Sequence, residues 1–181
     1  MGPLAVDPVL ARICGAAISI IFVLAAWQKL RDVNGFEVAL ANYAILPEAA
    51  VPFAARLLPV VELGAASALV VEWSRGIGAV AVLGLLIVVS TAVAINLLRG
   101  RREIDCGCGG VDSHQPLSWG LVMRNCLLAL TAIVGGQEGV ARELYWIDYL
   151  TVAFGTIALF GVYVCANQLL ANQPRLLQLR N

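Results

Sequence analysis

Charge is scarce in this 181-residue sequence: Asp, Glu, Lys and Arg make up 13% of it, about half of the ~25% usual in soluble domains. Hydrophobic residues account for 60%, and the mean hydropathy is +0.85. A single soluble core of this size cannot hide so much apolar surface, which excludes an ordinary soluble enzyme. Intrinsic disorder is excluded on the same ground, since it needs low hydrophobicity. Twelve Lys and Arg balance twelve Asp and Glu. No basic stripe stands out, so nucleic acid is not an expected partner. Period-two alternation is missing and the apolar runs are too long for barrel strands. Met1–Pro8 has no positive charge and contains Asp7, which argues for a retained first apolar run rather than a cleaved signal peptide. No internal repeat, low-complexity tract or soluble domain is visible. The remaining class is an all-α, multi-pass membrane bundle in contact with the lipid bilayer.

What is there is a set of long apolar runs. A hydrocarbon layer of ~30 Å needs about 20 mostly apolar residues per helix. Five segments qualify: Val9–Leu30, Ala49–Val71, Gly76–Leu98, Leu117–Gly136 and Asp148–Leu170. The fourth is the shortest and carries Arg124 and Asn125. Pro47 and Pro52 bracket the entry to the second span, a natural start position. Pro59 lies inside it, where a kink would open room for Glu62. Gly15-Ala16-Ala17, Gly64-Ala65-Ala66 and Gly84 would let helices approach closely. Trp27, Trp73, Trp119 and Trp146 each fall near a span end, as an interfacial aromatic belt requires.

Basic residues set the expected orientation. Five spans put Lys29, Arg31, Arg56, Arg99, Arg101, Arg102, Arg124, Arg175 and Arg180 on one side, against Arg12, Arg75 and Arg142 on the other. The crowded side is expected to face the cytoplasm, with the N-terminus outside.

The loop after the third span carries the chemistry. It reads Arg99-Gly-Arg-Arg-Glu-Ile-Asp-Cys-Gly-Cys-Gly-Gly-Val-Asp-Ser-His-Gln-Pro and holds two of the five cysteines and the single histidine. A disulfide across Cys106-Gly107-Cys108 closes a very small ring, and strain of that kind favours exchange over stapling. Arg99, Arg101 and Arg102 favour a thiolate nearby, while Glu103, Asp105 and Asp112 oppose it. Three readings stay open, in this order: a redox dithiol, an inert turn, and a metal site. The metal reading takes Cys106, Cys108 and His114 as ligands, with Asp105 or Asp112 as a fourth.

Cys126 and Cys165 lie toward the same side as this loop, and Cys14 lies near the opposite face. Each reads first as a small apolar packing residue. Cys126 is also placed to relay electrons if the loop folds over the bundle. Ionisable groups inside spans are costly and need partners. Glu62 is expected to pair with Lys29 or Arg124, forming a polar pocket under the loop or a structural ion pair. For Lys29, snorkelling to the headgroups is the leading expectation.

The chain resembles the MauE family, membrane accessory proteins of methylamine utilisation related to a wider DoxX-like four-helix group. The residues that carry the resemblance are Gln28–Leu30, Tyr43–Pro47, Pro59–Glu62, Asn96–Gly100, Asp105–Gly110 and Arg124–Asn125, in the family's order and covering roughly residues 10–135. The family usually has Phe after the second motif Cys; here that position is Gly109, which leaves both thiols in place. The resemblance implies a bundle over residues 1–136, with an additional C-terminal helix and tail over 137–181. It implies a bacterial inner-membrane location and disulfide chemistry with a thioredoxin-like partner, supporting maturation of an exported amine dehydrogenase. Cys106 and Cys108 would then be the exchanging pair, as in an accessory thiol–disulfide oxidoreductase. Lys29, Glu62, Arg99, Arg124 and Asn125 would shape the pocket. Either Cys126 or a quinone would accept or supply the electrons. The basic residues place the loop in the cytoplasm while the implied client is exported. Both hold only if reducing equivalents cross the bilayer. The alternative, from another class, is a non-catalytic subunit of a larger membrane complex.

Overall fold

The structure is a computed structural model that describes residues 6–107, 115–137 and 143–179, with side chains to residue 172. Among the described residues, six α-helices follow one another: α1 Pro8–Arg31, α2 Val33–Asn42, α3 Val51–Val70, α4 Arg75–Leu98, α5 Trp119–Gly135 and α6 Trp146–Leu179. Four apolar helical stretches are long enough to cross a membrane, and α5 adds a shorter fifth. Its 17 residues sit at the lower edge of the ~17–25 that a spanning helix needs. The five apolar runs therefore fold where hydropathy placed them. The chain is an all-α multi-pass membrane protein.

Local chemistry sets the helix starts. The Asp7 carboxylate accepts from the Val9 N–H at 2.8 Å, and Pro8 occupies the first turn, where a missing N–H costs nothing. Pro52 plays the same part in α3. That helix then runs unbroken through Pro59. The short helix α2 was not expected from the sequence. Asp32 caps it by accepting from Gly35 N–H at 3.0 Å.

Packing closes a ring of four. α1 packs on α3, α3 on α4, α4 on α5, and α5 back on α1, while α6 lies outside the ring against α1. Ile18, Phe22, Ala66, Leu69, Val82 and Ala132 form the shared core. The return of α5 to α1 depends on Gly135: a Cβ there would come within 2.7 Å of the Gly15 backbone nitrogen. At Gly64 and Gly84 a methyl group would meet nothing within 4 Å, so the close approach expected of them within the chain is not made. Ser19 Oγ donates to Ala66 O at 2.9 Å, tying α1 to α3. Trp27, Trp73, Trp119 and Trp146 are all exposed, consistent with an interfacial belt.

Candidate functional site

Antiparallel pairing fixes the end of the loop that carries Cys106. Asp105 bridges Pro116, Cys106 N–H donates to Gln115 O at 3.0 Å, and Leu117 N–H donates to Arg102 O at 3.1 Å. Tyr43, at the end of α2, donates its O–H to Cys106 O at 3.2 Å. Both backbone polar groups of Cys106 are thus held, one by the returning strand of the loop and one by the α2 corner. Gly107 follows with φ +69°, a conformation that glycine adopts without strain. Val93, Leu97, Leu117 and Leu121 pack around Cys106 and Tyr43. Burial pushes the Tyr43 phenol up from 10.0 to about 12, with Arg124 opposing the rise and Asp105 adding to it. Tyr43 therefore stays protonated and remains a donor.

Cys106 is 7% exposed and disulfide-bonded. Cys14, Cys126 and Cys165 are free. Cys108 and His114 lie outside the described residues. Among the described residues no group of three His, Cys, Asp or Glu side chains gathers as a metal site.

Beneath Cys106 lies a cavity of about 410 Å³ whose wall also includes Lys29, Glu62, Arg124 and Asn125. Chain direction explains why these residues meet. α1 and α4 end on this side, and α3 and α5 begin on it, so their in-span polar groups fall at one end of the ring. Lys29 Nζ donates to Glu62 Oε1 at 2.5 Å, with side chains only 8% and 6% exposed. The expected snorkelling of Lys29 does not occur. A buried carboxylate one helix away holds the ammonium more strongly than headgroups beyond the helix end, and the Phe36 ring centroid lies 5.5 Å from it. Glu62 Oε2 is buried and has no hydrogen-bond partner among the described residues.

Arg124 is held by amides rather than by an acid. Its Nη1 donates to Asn167 Oδ1 at 2.6 Å, and its Nη2 donates to Asn125 Oδ1 at 3.1 Å. Asn125 Nδ2 donates onward to Ser90 Oγ at 3.2 Å. The Tyr163 ring centroid lies 6.0 Å from the guanidinium carbon. Among the described residues no carboxylate pairs with Arg124. Among the described residues, the wall of the cavity thus carries one neutralised ion pair and one cation without an anion.

Not every residue expected at this site reaches it. Arg99 is exposed and lies outside the cavity wall, donating to Ala44 O at 3.4 Å. Arg101 and Arg102 are exposed as well, so among the described residues the cations that share the cavity with Cys106 are Arg124 and the Glu62-paired Lys29. Cys126 is exposed and absent from the cavity wall. Its neighbours Arg124 and Asn125 point inward, and one more step of about 100° around the helix turns Cys126 to the lipid face. The structure places it off the wall that Cys106 shares. Tyr43, Phe36, Tyr163 and Asn167 are the residues sequence reasoning did not single out. Asn167, a polar side chain within an apolar run, carried the clearest signal.

Fold and site together define a multi-pass helix-bundle membrane protein with a disulfide-bonded cysteine in the wall of a largely apolar cavity. The chain belongs to the MauE family, because the family model of the methylamine utilisation protein MauE matches residues 7–136. It is similar to methylamine utilization protein MauE of Paracoccus denitrificans, 45% identical over 116 residues, covering 64% of this chain and 62% of the relative. The chain thus spans less than two thirds of that relative's length. It is 32% identical to the protein of the same name from Paracoccus versutus over 164 residues, covering 90% of this chain and 88% of the relative. The Methylophilus methylotrophus protein is 39% identical over 153 residues, covering 84% and 78%. No solved structure matches the chain.

Proposed function

We propose that this chain is a thiol–disulfide exchange protein of the bacterial inner membrane that serves methylamine utilisation. Cys106 and Cys108 form the exchanging pair, and the partner is a thioredoxin-like protein that acts on an exported client such as an amine dehydrogenase. The observation that carries this reading is a disulfide-bonded Cys106 fixed at both backbone groups over a cavity that contains Arg124. Arg124, without a carboxylate partner among the described residues, supplies the positive charge that favours a thiolate when the pair is reduced. In the matched region, residues 7–136, the bundle holds the pair; the helix beyond it braces α1.

In one direction a partner thiolate attacks a sulfur of the pair. The S–S bond breaks, and the electron pair leaves on the other sulfur. A second partner thiolate then attacks the mixed disulfide and releases the first sulfur, so two electrons pass from partner to chain. The reverse sequence reduces a partner disulfide. Cys106 is buried, so the partner attacks Cys108 and Cys106 leaves; in the reverse direction Cys108 attacks the partner disulfide and Cys106 resolves.

The test is disulfide exchange between the purified chain and a thioredoxin-like protein. Cys106→Ser with Cys108→Ser should abolish exchange while membrane insertion persists. Full exchange in that double variant would end the mechanism and favour an accessory subunit.

A further inference from the structure

Exchange in the direction that oxidises the partner leaves two electrons on the Cys106 pair with each turnover, and they must go somewhere. No described cysteine is placed to take them: Cys14 lies toward the other end of α1, and Cys126 and Cys165 are exposed and outside the cavity wall. The cavity itself supplies the route. Leu57 and Val61 on α3 and Val88 on α4 belong both to its wall and to the exposed outer surface. Its mouth therefore opens sideways, between two membrane-spanning helices, onto hydrocarbon. A ligand that enters there comes from the lipid phase.

The polar groups inside define that ligand further. Glu62 Oε2 is a buried acceptor with no donor, on a side chain 6% exposed. Leaving such an oxygen unpaired costs free energy that a bound O–H recovers. Arg124 offers N–H donors and positive charge on the same wall. Thiol–disulfide interconversion moves two electrons and two protons. A membrane-soluble couple that carries both is a quinone and its hydroquinone: the quinone oxygens accept from Arg124, and the hydroquinone O–H donates to Glu62.

Resting on the exchange reading, the geometry points to this cavity as a site for a lipid-soluble quinone that oxidises the reduced Cys106 pair. The Cys106 thiolate adds to a ring carbon, forming a C–S bond, and one ring oxygen takes a proton. The second thiolate attacks Cys106 Sγ, the S–S bond forms as the C–S bond breaks, and the electron pair passes into the ring. The other ring oxygen takes the second proton. Two thiols and one quinone thus become one disulfide and one hydroquinone, whose O–H donates to Glu62 Oε2.

The test uses the full chain, reduced and freed of reductant, in lipid nanodiscs without oxygen. Decylubiquinone is added, hydroquinone formation is followed by absorbance, and Cys106 is assayed by thiol alkylation. Exchange with the thioredoxin-like protein is measured on the same preparation. One hydroquinone per disulfide supports the site. Ala54→Phe, which fills the cavity from α3, should raise the quinone KM at least tenfold. Ile77→Phe, on the exposed face of α4 outside the cavity, should leave it unchanged. Normal exchange without oxidation by quinone overturns the quinone site alone. Oxidation by quinone without exchange supports the site and overturns the exchange reading. Equal KM in wild type and a folded Ala54→Phe variant overturns the cavity as the place of reaction.

Discussion

Lys29 and Glu62 are 33 positions apart in the chain and on different helices, yet each is explicable only by the other. Both were legible as anomalies, since a charge inside an apolar run is expensive. Their partnership was not. Two basic residues, Lys29 and Arg124, competed for Glu62, and helix adjacency, which hydropathy does not encode, decided between them. Lys29 shows the limit most sharply: near the end of α1, it had a headgroup alternative that only the nearness of α3 defeats. Removing one member of a buried pair strands the other, at a cost of about 3–5 kcal/mol, whereas replacing both with apolar groups of similar size is often neutral. Lys29→Met and Glu62→Leu should therefore each lower the melting temperature in detergent, and the double variant should recover most of the loss. Additive losses in the double variant would show that the two side chains are stabilised independently. Tyr43 was legible only as part of a motif, because its role depends on where the α2 corner meets the loop.

At the scale of elements, the spans were readable because their signal is length and apolarity, both properties of one segment alone. α2 was not. Its 10 residues are too few for a span and too short to be stable by themselves, and it exists by packing against α3. Small residues were ambiguous for a similar reason, since a glycine on a helix face does not say which face is covered. Gly135 meets the Gly15 backbone, whereas Gly84 meets nothing. Gly135→Ala should destabilise the bundle by about 1–3 kcal/mol, the usual cost of overpacking a closed contact. Gly84→Ala should be neutral or slightly stabilising through helix propensity. Thermal unfolding in detergent compares the two directly, and equal effects would contradict the assigned α1–α5 contact.

For the whole molecule, the decisive property is that chain direction gathers Cys106 and the buried polar side chains at one end. The opposite end is closed differently, by Arg12 reaching Glu72 at 2.6 Å. That polarity was partly legible. The Cys-Gly-Cys motif, Glu62, Arg124 and Asn125 were all marked by residue type and position, and a five-span reading put them on one side. Arg99 and Cys126 lie off the cavity wall, because proximity in sequence and depth in a span do not fix which way a side chain turns. From the basic residues the loop is expected to face the cytoplasm, whereas an exported client requires exchange on the other side, and labelling from a known side decides between them. The central claim, a reversible disulfide at Cys106, is tested most directly by labelling in sealed vesicles of known orientation. A variant with Cys14, Cys126 and Cys165 replaced by Ser is treated with a membrane-impermeant maleimide, before and after mild reduction. The account predicts labelling only after reduction, and recovery of protection when oxidant is restored. Full labelling without reductant, unchanged by any oxidant, would contradict it.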